Sequence, residues 1–417
     1  MPLFSIPLSG LTASSDALNI ISNNLANLNT IGFKDQQANF QDLFYQMLGT
    51  TGAGDPIQMG AGTQVGSVAS NFSNGNLQAT GIPTDVAITG NGFFVTQGPN
   101  GAYEFTRAGN FTVNAQGDLV SPDGQNVMGY AAVNGVVNMG AGLTAIQLGQ
   151  GQISAPSATT TMDQTTNLDA SANVGDTYST PLTVYDSLGN SHVLTFNYTK
   201  TGTNAWSYQI TLPAADTGGT GNPTVVASGN LTFDSSGNLT SPTGSVAGIS
   251  VAGLADGAAT MNLTWNLTGA NGGATLTQVA SQSSTSATDQ NGYASGTLQN
   301  YTINSDGTIS GAFSNGQVQT IGQIALANFA NYQGLQLMGG NSYQPTLASG
   351  QPVIGAAGTG GRGTMTGGAV ELSNVDISTE FTNLIVTQRG FEANARVITT
   401  LDTVTNTTIN LQASPGN

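Results

Sequence analysis

The two ends of this chain predict long amphipathic helices, and the sequence between them does not. Residues 11–28 and 376–411 carry apolar residues at helical spacing, whereas the rest is rich in Gly, Ser, Thr and Asn. Terminal segments of most domains are poorly ordered unless something holds them down. We therefore predict that the two end helices bury their apolar stripes against each other and against neighbouring copies.

The N-terminal helix is predicted to begin near Ser9 or Thr12, since either side chain can cap a helix start. Its apolar residues repeat every seven positions, which indicates a coiled-coil-like seam. The residues of this seam are Leu11, Leu18, Ile21, Leu25 and Leu28. The helix should stop at residues 29–32, where Gly32 can adopt the left-handed conformation.

The C-terminal helix is predicted to follow a capping box of Ser373 and Asp376, with Glu380 in its first turn. Its apolar side chains fall mostly on one broad face, which Gly390 interrupts. We expect this face to supply the second half of a subunit interface. The predicted residues are Phe381, Leu384, Phe391, Ile398, Leu401 and Val404.

The middle of the chain predicts β-structure in two domains. Short alternating strands such as 194–198, 206–212 and 263–267 are separated by turns of Gly, Asn and Asp. Apolar density falls near residues 149–176 and again near 281–292, which suggests domain boundaries. The predicted fold is mainly β with terminal α-helices, one β domain being inserted in the other. The predicted divisions are a terminal helical domain (1–30 and 375–417), a connector (31–70 and 356–374), a first β domain (71–146 and 286–355) and an inserted outer β domain (147–285).

Composition excludes some partners and compartments. The net charge is −16 and the six Lys and Arg residues form no cluster, so we predict no nucleic-acid partner. No apolar run is long enough to span a membrane, so we expect no membrane insertion. The N-terminus lacks the pattern of a cleaved secretory signal. An absence of cysteine excludes disulfides and thiolate chemistry.

A search for catalytic or metal-binding motifs predicts no catalytic residue, no cofactor and no metal. His192 is the single histidine, and we interpret it as structural or surface-exposed because no nucleophile motif accompanies it. Zinc sites generally need several His or Cys ligands. The glycine-rich segment 358–363 matches a dinucleotide motif but precedes no helix, so it is interpreted as a hinge. A catalytic carboxylate pair stays open at this point.

Motifs at both ends resemble bacterial flagellar rod and hook proteins. Segments 9–13 and 23–34 are similar to the N-terminal signature of that family, and 373–382 and 388–395 to its C-terminal partner. Residues 106–112 resemble its shared first β domain. The chain departs from the family pattern at Phe391-Glu392. The motif residues are Asn23, Asn24, Asn27, Asn29, Thr30, Gly32, Phe33, Lys34, Gln388, Arg389 and Asn394.

The resemblance implies a structural subunit rather than an enzyme. Segment 181–192, which resembles the hook-type member, and the inserted block favour that member over a distal rod protein, the nearest alternative. Such subunits form a curved tube that couples the motor to the filament as a universal joint. The resemblance also implies partners, namely other copies, rod and hook-filament junction proteins, a hook cap and the export apparatus. It implies a location at the cell exterior, reached without a cleaved signal.

Other interpretations remain at this stage. A surface adhesin or carbohydrate-binding β protein would use Trp206 and Tyr208, and a hydrolase would use an undetected carboxylate pair. Neither gives the two end helices a role. Asn23, Asn24 and Asn27 either set register between helices or face solvent and cap the helix end, and the sequence does not choose between these two.

Overall fold

A computed structural model describes residues 5–52, 54–149, 151–269 and 273–412. The chain divides into two compact units. The first comprises residues 1–149, 300–311 and 319–417, and the second comprises 150–299 and 312–318. The prediction of a mainly β chain with a helix at each end is confirmed. Neither helix among the described residues combines the length and apolar character needed to cross a membrane.

Helix α1 spans Ser5–Ala26 and helix α2 spans Ile377–Gln412. The N-terminal helix thus begins earlier and ends slightly earlier than predicted. Asp376, not Ser373, caps α2, because its Oδ1 accepts a hydrogen bond from the Thr379 N–H at 2.8 Å. Ser373 instead accepts a bond from the Val375 N–H, one step before the helix.

Strands precede and follow the second unit in the chain. Those before it are β1 (Gln36–Asp42), β2 (Gln46–Thr50), β3 (Pro56–Met59), β4 (Thr63–Ser70), β5 (Leu77–Ala79), β6 (Val86–Thr89), β7 (Phe93–Gln97), β8 (Tyr103–Thr106), β9 (Thr112–Val113), β10 (Leu119–Val120), β11 (Asn126–Val133), β12 (Val136–Val137) and β13 (Thr144–Ala145).

The strands of the second unit come next in the chain. They are β14 (Ile153–Ser154), β15 (Thr161–Asp169), β16 (Thr177–Tyr185), β17 (Ser191–Gly202), β18 (Ala205–Leu212), β19 (Thr224–Phe233), β20 (Leu239–Ser241), β21 (Val246–Val251), β22 (Met261–Asn266), β23 (Leu276–Val279) and β24 (Ser284–Gln290).

The chain then returns to the first unit, although the start of β25, the end of β26 and the first residue of β27 still belong to the second unit. Its remaining strands are β25 (Gly296–Ile303), β26 (Thr308–Phe313), β27 (Val318–Ile324), β28 (Leu326–Asn328), β29 (Gln336–Gly339), β30 (Ser342–Gln344), β31 (Val353–Gly355), β32 (Thr364–Gly367) and β33 (Ala369–Glu371). Short 3-10 helices occur at Met139–Ala141, Ala214–Thr217 and Tyr332–Gly334.

In the first unit, a run of strands pairs in the order β27, β11, β7, β8, β30, β29. Two short strand pairs attach the segment before α2 to this unit. Strand β32 pairs with β6, and β33 pairs with β5. Phe93, Phe105 and Tyr343 form part of an aromatic cluster in the unit's core. The start of α2 is therefore anchored to β-structure laid down early in the chain.

The second unit has two sheets over one core. One sheet runs β16 to β20 in sequence order, and the other runs β21, β22, β15, β23, with β24 also on β15. Strict alternation in β17 buries Leu194, Phe196 and Tyr198 on one face. The Trp265 ring centroid lies 5.0 Å from that of Phe196 and 5.2 Å from that of Tyr208.

The structure differs from the predicted divisions at residues 286–299 and 312–318. The sequence analysis gave them to the first β domain, but they lie in the second unit. The reason for the first of these segments is that β24 pairs antiparallel with β15, from Met162 opposite Gln290 to Asn167 opposite Ser284. Polar residues with exposed side chains gave no apolar alternation from which this strand could be predicted.

Candidate assembly interface at the terminal helices

Helix α1 contacts α2 through small side chains. Its buried residues are Pro7, Ala13, Ala17, Ile21 and Asn24, which are mostly four positions apart and so lie on one face. A Cβ at Gly10 would lie 2.7 Å from Asn394 Nδ2. Gly390 faces Ser14 in the same way, its virtual Cβ 3.8 Å from the Ser14 Oγ. Small residues at these crossings let the two backbones approach closely.

The leucine seam predicted on α1 is thus at the edge of this contact. Of the predicted interface residues, Ile21 is buried. Half-buried side chains are Leu11, Leu18, Leu25, Leu28, Leu384, Phe391, Ile398 and Leu401. Phe381 and Val404 are exposed, at 53% and 55%. The residues that sequence reasoning missed are Ala13 and Ala17, which a search for large apolar residues passes over.

Helix α2 presents two apolar stripes that α1 does not cover. Ile377, Phe381 and Ile385 follow one another at four-residue steps and are each 45–55% exposed. A second stripe combines Val386, Val397, Val404 and Leu411, which recur at steps of eleven and seven residues and are 47–73% exposed. Both spacings return a helix to nearly the same face. Such apolar surface on a single chain marks an interaction site.

Asn24 binds the chain that leaves α1. Its side chain is fully buried, and its Nδ2 donates to Asp35 Oδ1 and to the Gln36 carbonyl, both at 2.7 Å. Its Oδ1 accepts the Gln36 N–H at 3.1 Å. Asn24 therefore fixes the chain that leaves α1, and its side chain also hydrogen-bonds Glu380 at the start of α2.

The neighbouring asparagines act at the helix end. Asn27 Nδ2 donates to the Asn23 carbonyl at 2.9 Å, and Asn27 Oδ1 accepts from the Thr30 hydroxyl at 3.0 Å. Gly32 follows in the left-handed conformation with φ 69°, as predicted. Its virtual Cβ would lie 2.6 Å from the Ala108 nitrogen, so a side chain there has no room.

A buried charge cluster joins the segment after α1 and the segment before α2 to the β-structure of the first unit. Lys34 Nζ lies 2.7 Å from Glu371 Oε1, and Arg107 Nη1 lies 3.3 Å from Glu371 Oε2. Lys34 also donates to the Ser73 carbonyl at 2.7 Å, and Arg107 Nη2 donates to the Gly90 carbonyl at 2.8 Å. All three side chains are at most 2% exposed.

The electrostatics of this cluster are unbalanced. Burial lowers the pKa of Lys34, which the Glu371 carboxylate opposes and the Arg107 charge reinforces. Burial lowers the pKa of Arg107 as well, against the pull of Glu371. Two cations therefore depend on one carboxylate. Glu371 is a functional residue that the sequence analysis missed, although a buried Lys in a motif is itself a signal that a buried acid exists.

Further hydrogen bonds complete the junction between the helices and the first unit. The Gly32 N–H donates to the Glu371 carbonyl at 2.8 Å. Asn374 Oδ1 accepts the Asp35 N–H at 2.8 Å, and its Nδ2 donates to the Asn71 carbonyl at 2.8 Å. We call this set the junction: residues 31–36, 71–75, 107 and 371–376. It holds the end of α1 beside the start of α2.

The remaining motif residues lie on α2 or beside the junction. Phe33 is buried, Asn29 is exposed and Asn394 packs on Gly10 as described above. Gln388 and Arg389 are exposed, and Gln388 Nε2 lies 3.5 Å from the Glu392 Oε1. At the Phe391-Glu392 departure, Phe391 is half-buried and Glu392 is exposed. The structure thus separates the motif into anchoring residues and solvent-facing residues.

The residues proposed for a carbohydrate-binding surface do not form one. Trp206 and Tyr208 are 1% and 4% exposed. Trp206 Nε1 donates to Gln278 Oε1 at 2.9 Å, and its ring receives Lys200 Nζ at 5.1 Å from the centroid. Both aromatic rings are core residues of the second unit, so the adhesin interpretation loses the side chains on which it relied.

Four family models match the chain. They are described as flagellar basal body rod protein (residues 6–34), flagellar hook protein FlgE/F/G D1 domain (87–165), flagellar basal body protein FlaE D2 domain (154–293) and flagellar basal body rod FlgEFG protein C-terminal (366–411). The matches cover nearly all of both helices and the three residues of the buried charge cluster, Lys34, Arg107 and Glu371.

Curated relatives decide the family. The chain is 37% identical to flagellar hook protein FlgE of Escherichia coli strain K12, over 98% of this chain and 100% of the relative. It is 37% identical to that of Treponema pallidum, over 97% of this chain and 98% of the relative. The chain belongs to the flagellar hook protein FlgE family. A crystal structure of Helicobacter pylori flagellar hook protein FlgE2 is 18% identical, with a TM-score of 0.48 over 69% of this chain and 98% of that one.

Membership in the hook protein family settles the class of protein. The relatives are hook proteins rather than rod proteins, and they match this chain across its whole length, D2 segment included. The chain is accordingly a structural subunit of the flagellar hook, and its place is in the hook and basal body. Nearly all of the terminal helices and junction residues 31–34 and 371–376 lie within the two matches described for rod and FlgEFG proteins.

Proposed function

We propose that this chain polymerises with its own copies, through the terminal helices, into the wall of a curved tube. The observation that carries this is the pair of exposed apolar stripes on α2, on either side of the face that α1 covers. A contact that joins different faces of identical subunits does not close on itself and yields a helical polymer. The two stripes supply such faces.

The proposed domain roles follow from this. Residues 1–30 and 375–417 form the polymerisation domain, 31–70 and 356–374 form a connector, and the two β domains lie outside the tube. The tube transmits motor torque to the filament as a universal joint. Proposed partners are rod and hook-filament junction proteins, a hook cap and the export apparatus, and the proposed location is the cell exterior. We propose no catalytic role.

The connector fits a role between subunits. Strands β1 to β4 form one long hairpin, in which β1 pairs with β4 and β2 pairs with β3, and their side chains are largely exposed. Phe44 is 95% exposed, and Tyr45, Met47 and Leu48 are 60–65% exposed. Apolar side chains so open to water favour burial against other copies.

Point variants on α2 test the proposal without unfolding the chain. In the full-length protein, Phe381→Asp and Val404→Asp place a charge on each exposed stripe, whereas Thr382→Asp changes an exposed polar position on the same helix. We expect electron microscopy to show tubes from the parent and from Thr382→Asp, and monomers from the other two. Tubes of normal yield from both stripe variants would contradict the proposal.

A truncation gives a second test, and the structure fixes where to cut. Removing residues 1–26 and 377–417 deletes both helices and keeps Lys34, Glu371 and strands β32 and β33. Cutting at residues 70 and 360 would instead destroy the junction and expose β5 and β6. The shorter deletion should give folded monomers that never assemble, whereas tubes from it would place the interface elsewhere.

A further inference from the structure

A cluster around His192 lies in the second unit and contains none of the residues of the assembly interface. His192 begins β17 and is 6% exposed. Its Nε2 lies 3.1 Å from Asp186 Oδ2 and 3.6 Å from Asp256 Oδ2, and its Nδ1 lies 2.9 Å from Asp216 Oδ2. One imidazole thus meets three carboxylates that come from three different loops.

Two of these carboxylates are held in place by their own loops. Asp186 Oδ1 accepts the N–H groups of Leu188 and Asn190 at 2.8 and 2.9 Å. Asp256 Oδ1 accepts the Ala258 N–H at 3.0 Å. In each carboxylate, Oδ1 therefore accepts hydrogen bonds from its own loop, and Oδ2 lies near His192 Nε2. The Asn190 Nδ2 lies 3.4 and 3.0 Å from those two Oδ2 atoms.

The cluster carries more negative charge than the protein around it neutralises. If the imidazole is protonated and the three carboxylates are ionised, the cluster still has a net charge of −2. The second unit contains a single Lys or Arg, Lys200, and its Nζ binds the Ala170 carbonyl and the Trp206 ring.

We propose that Asp186, His192 and Asp256 bind one divalent cation of the zinc type. Their ligand atoms lie within 4.8 Å of one another, and the separations of 3.1 and 3.6 Å resemble the ligand–ligand edges of a tetrahedron with bonds of about 2.0–2.2 Å. One imidazole with two carboxylates suits zinc or manganese better than magnesium. Water would take the fourth position. The ion would tie the 186–190 turn to the 256 loop, as a structural brace.

Asp216 acts as a positioning residue. Its Oδ2 faces His192 Nδ1, the nitrogen that would not bind the metal. Ligating histidines generally donate their other N–H to a carboxylate, which fixes the tautomer and aims the free nitrogen at the ion. The sequence analysis predicted no metal because it counted one histidine. It could not foresee that three loops bring aspartates to that histidine.

Calorimetric titration of the full chain, stripped of metal with a chelator, tests the site. We expect one Zn²⁺ bound per chain, and much weaker binding of Mg²⁺. His192→Gln and Asp256→Asn should each weaken Zn²⁺ binding at least tenfold. Asp216→Asn should weaken it roughly 10- to 100-fold without removing a ligand. Bound Co²⁺ should give visible absorption bands in the parent that His192→Gln abolishes.

The chain supplies a matched control. The segment Asp234-Ser-Ser-Gly-Asn238 repeats the pattern of Asp186-Ser-Leu-Gly-Asn190, and Asp234 Oδ1 accepts the Ser236 and Asn238 N–H groups in the same way. No histidine faces it, so Asp234→Asn should leave Zn²⁺ binding unchanged. If His192→Gln fails to fold, the more exposed Asp256→Asn still decides. No Zn²⁺ binding by the parent, or binding that survives both ligand variants, overturns the proposal and leaves His192 as a proton-bearing brace only.

Discussion

The second unit and the terminal helix pair bury their apolar residues to very different extents. The second unit encloses one continuous core, in which Phe196, Tyr198 and Trp265 are fully buried. On α2, Glu380 is the one buried side chain among residues 377–411. Every large apolar residue of that helix is half-buried or exposed. The second unit thus covers its apolar residues within one chain, whereas the helix pair leaves apolar faces exposed.

This difference indicates where each region gets its stability. Two sheets packed face to face supply the second unit with its own core. A helix pair gains most of its stability from packing of apolar faces, and α2 has faces that one partner does not cover. The junction supplies what the helix pair lacks in the single chain, since buried charges and hydrogen bonds hold α1 and α2 side by side. Assembly with other copies would cover the remaining apolar faces of α2.

Matched Phe→Ala changes give the largest expected contrast. Phe196→Ala should lower the free energy of unfolding of the second unit by about 3–5 kcal/mol, because it empties a packed core. Phe381→Ala should change monomer stability by about 0.5 kcal/mol or less, because its side chain is 53% exposed, yet it should impair tube formation. Both tryptophans lie in the second unit, so urea unfolding followed by their fluorescence isolates its transition. Equal losses of stability from the two changes would contradict the proposed difference between the second unit and the helix pair.

The next largest effect is expected at the junction. Glu371→Gln removes the one anion that Lys34 and Arg107 share, and breaking a buried ion pair from one side costs roughly 3 kcal/mol or more. Far-UV circular dichroism in urea should show an earlier transition, while tryptophan fluorescence keeps its midpoint. Glu392→Gln, an exposed acid on α2, is the control. A shift of the fluorescence midpoint alone would mean that the cluster does not stabilise the first unit.

A smaller contrast is expected between adjacent asparagines. Asn24→Ala deletes the hydrogen bonds to Asp35, Gln36 and Glu380 and leaves the Gln36 N–H and carbonyl without that partner, at a cost of about 1–3 kcal/mol. Asn23→Ala removes an exposed amide that accepts one side-chain hydrogen bond from Asn27. Its loss of stability should be a few tenths of the loss caused by Asn24→Ala. Thermal unfolding by circular dichroism measures both. Similar losses would show that Asn24 has no special place in the junction.

Much of the fold followed from sequence periodicity, and the parts that did not follow are set by long-range contacts. Alternation predicted the strands around Phe196, and helical spacing predicted α1 and α2. No local pattern could show that Glu371 meets Lys34 across more than three hundred residues. The large leucines of α1 suggested a seam, whereas the small residues Ala13 and Ala17 are buried and Gly10 lies close to Asn394. The polar strand β24 was invisible for a similar reason, because pairing with β15 and not burial of apolar residues places it.

The smallest expected effect is a pH dependence at the start of α2. Burial raises the pKa of Glu380, against a hydrogen bond from Asn24, and burial raises the pKa of Asp35 as well. A carboxyl whose pKa is higher in the folded state binds its proton more tightly there, so the junction gains stability as pH falls from neutral through that raised pKa. The gain is complete below the unfolded value of 4.5. Because the hydrogen bond from Asn24 offsets part of the effect of burial, we expect less than about 1 kcal/mol.

Glu380→Gln isolates this contribution. The variant should reduce the rise in urea resistance between about pH 7 and pH 5, measured by circular dichroism, and Asp35 should account for what remains. Glu392→Gln, whose side chain is exposed, should keep the parent slope. Because the second unit has its own core, its tryptophan transition should have the same pH dependence in all three proteins. A parent whose helices lose stability as pH falls over this range would show that favourable charge at the helix start outweighs burial at Glu380.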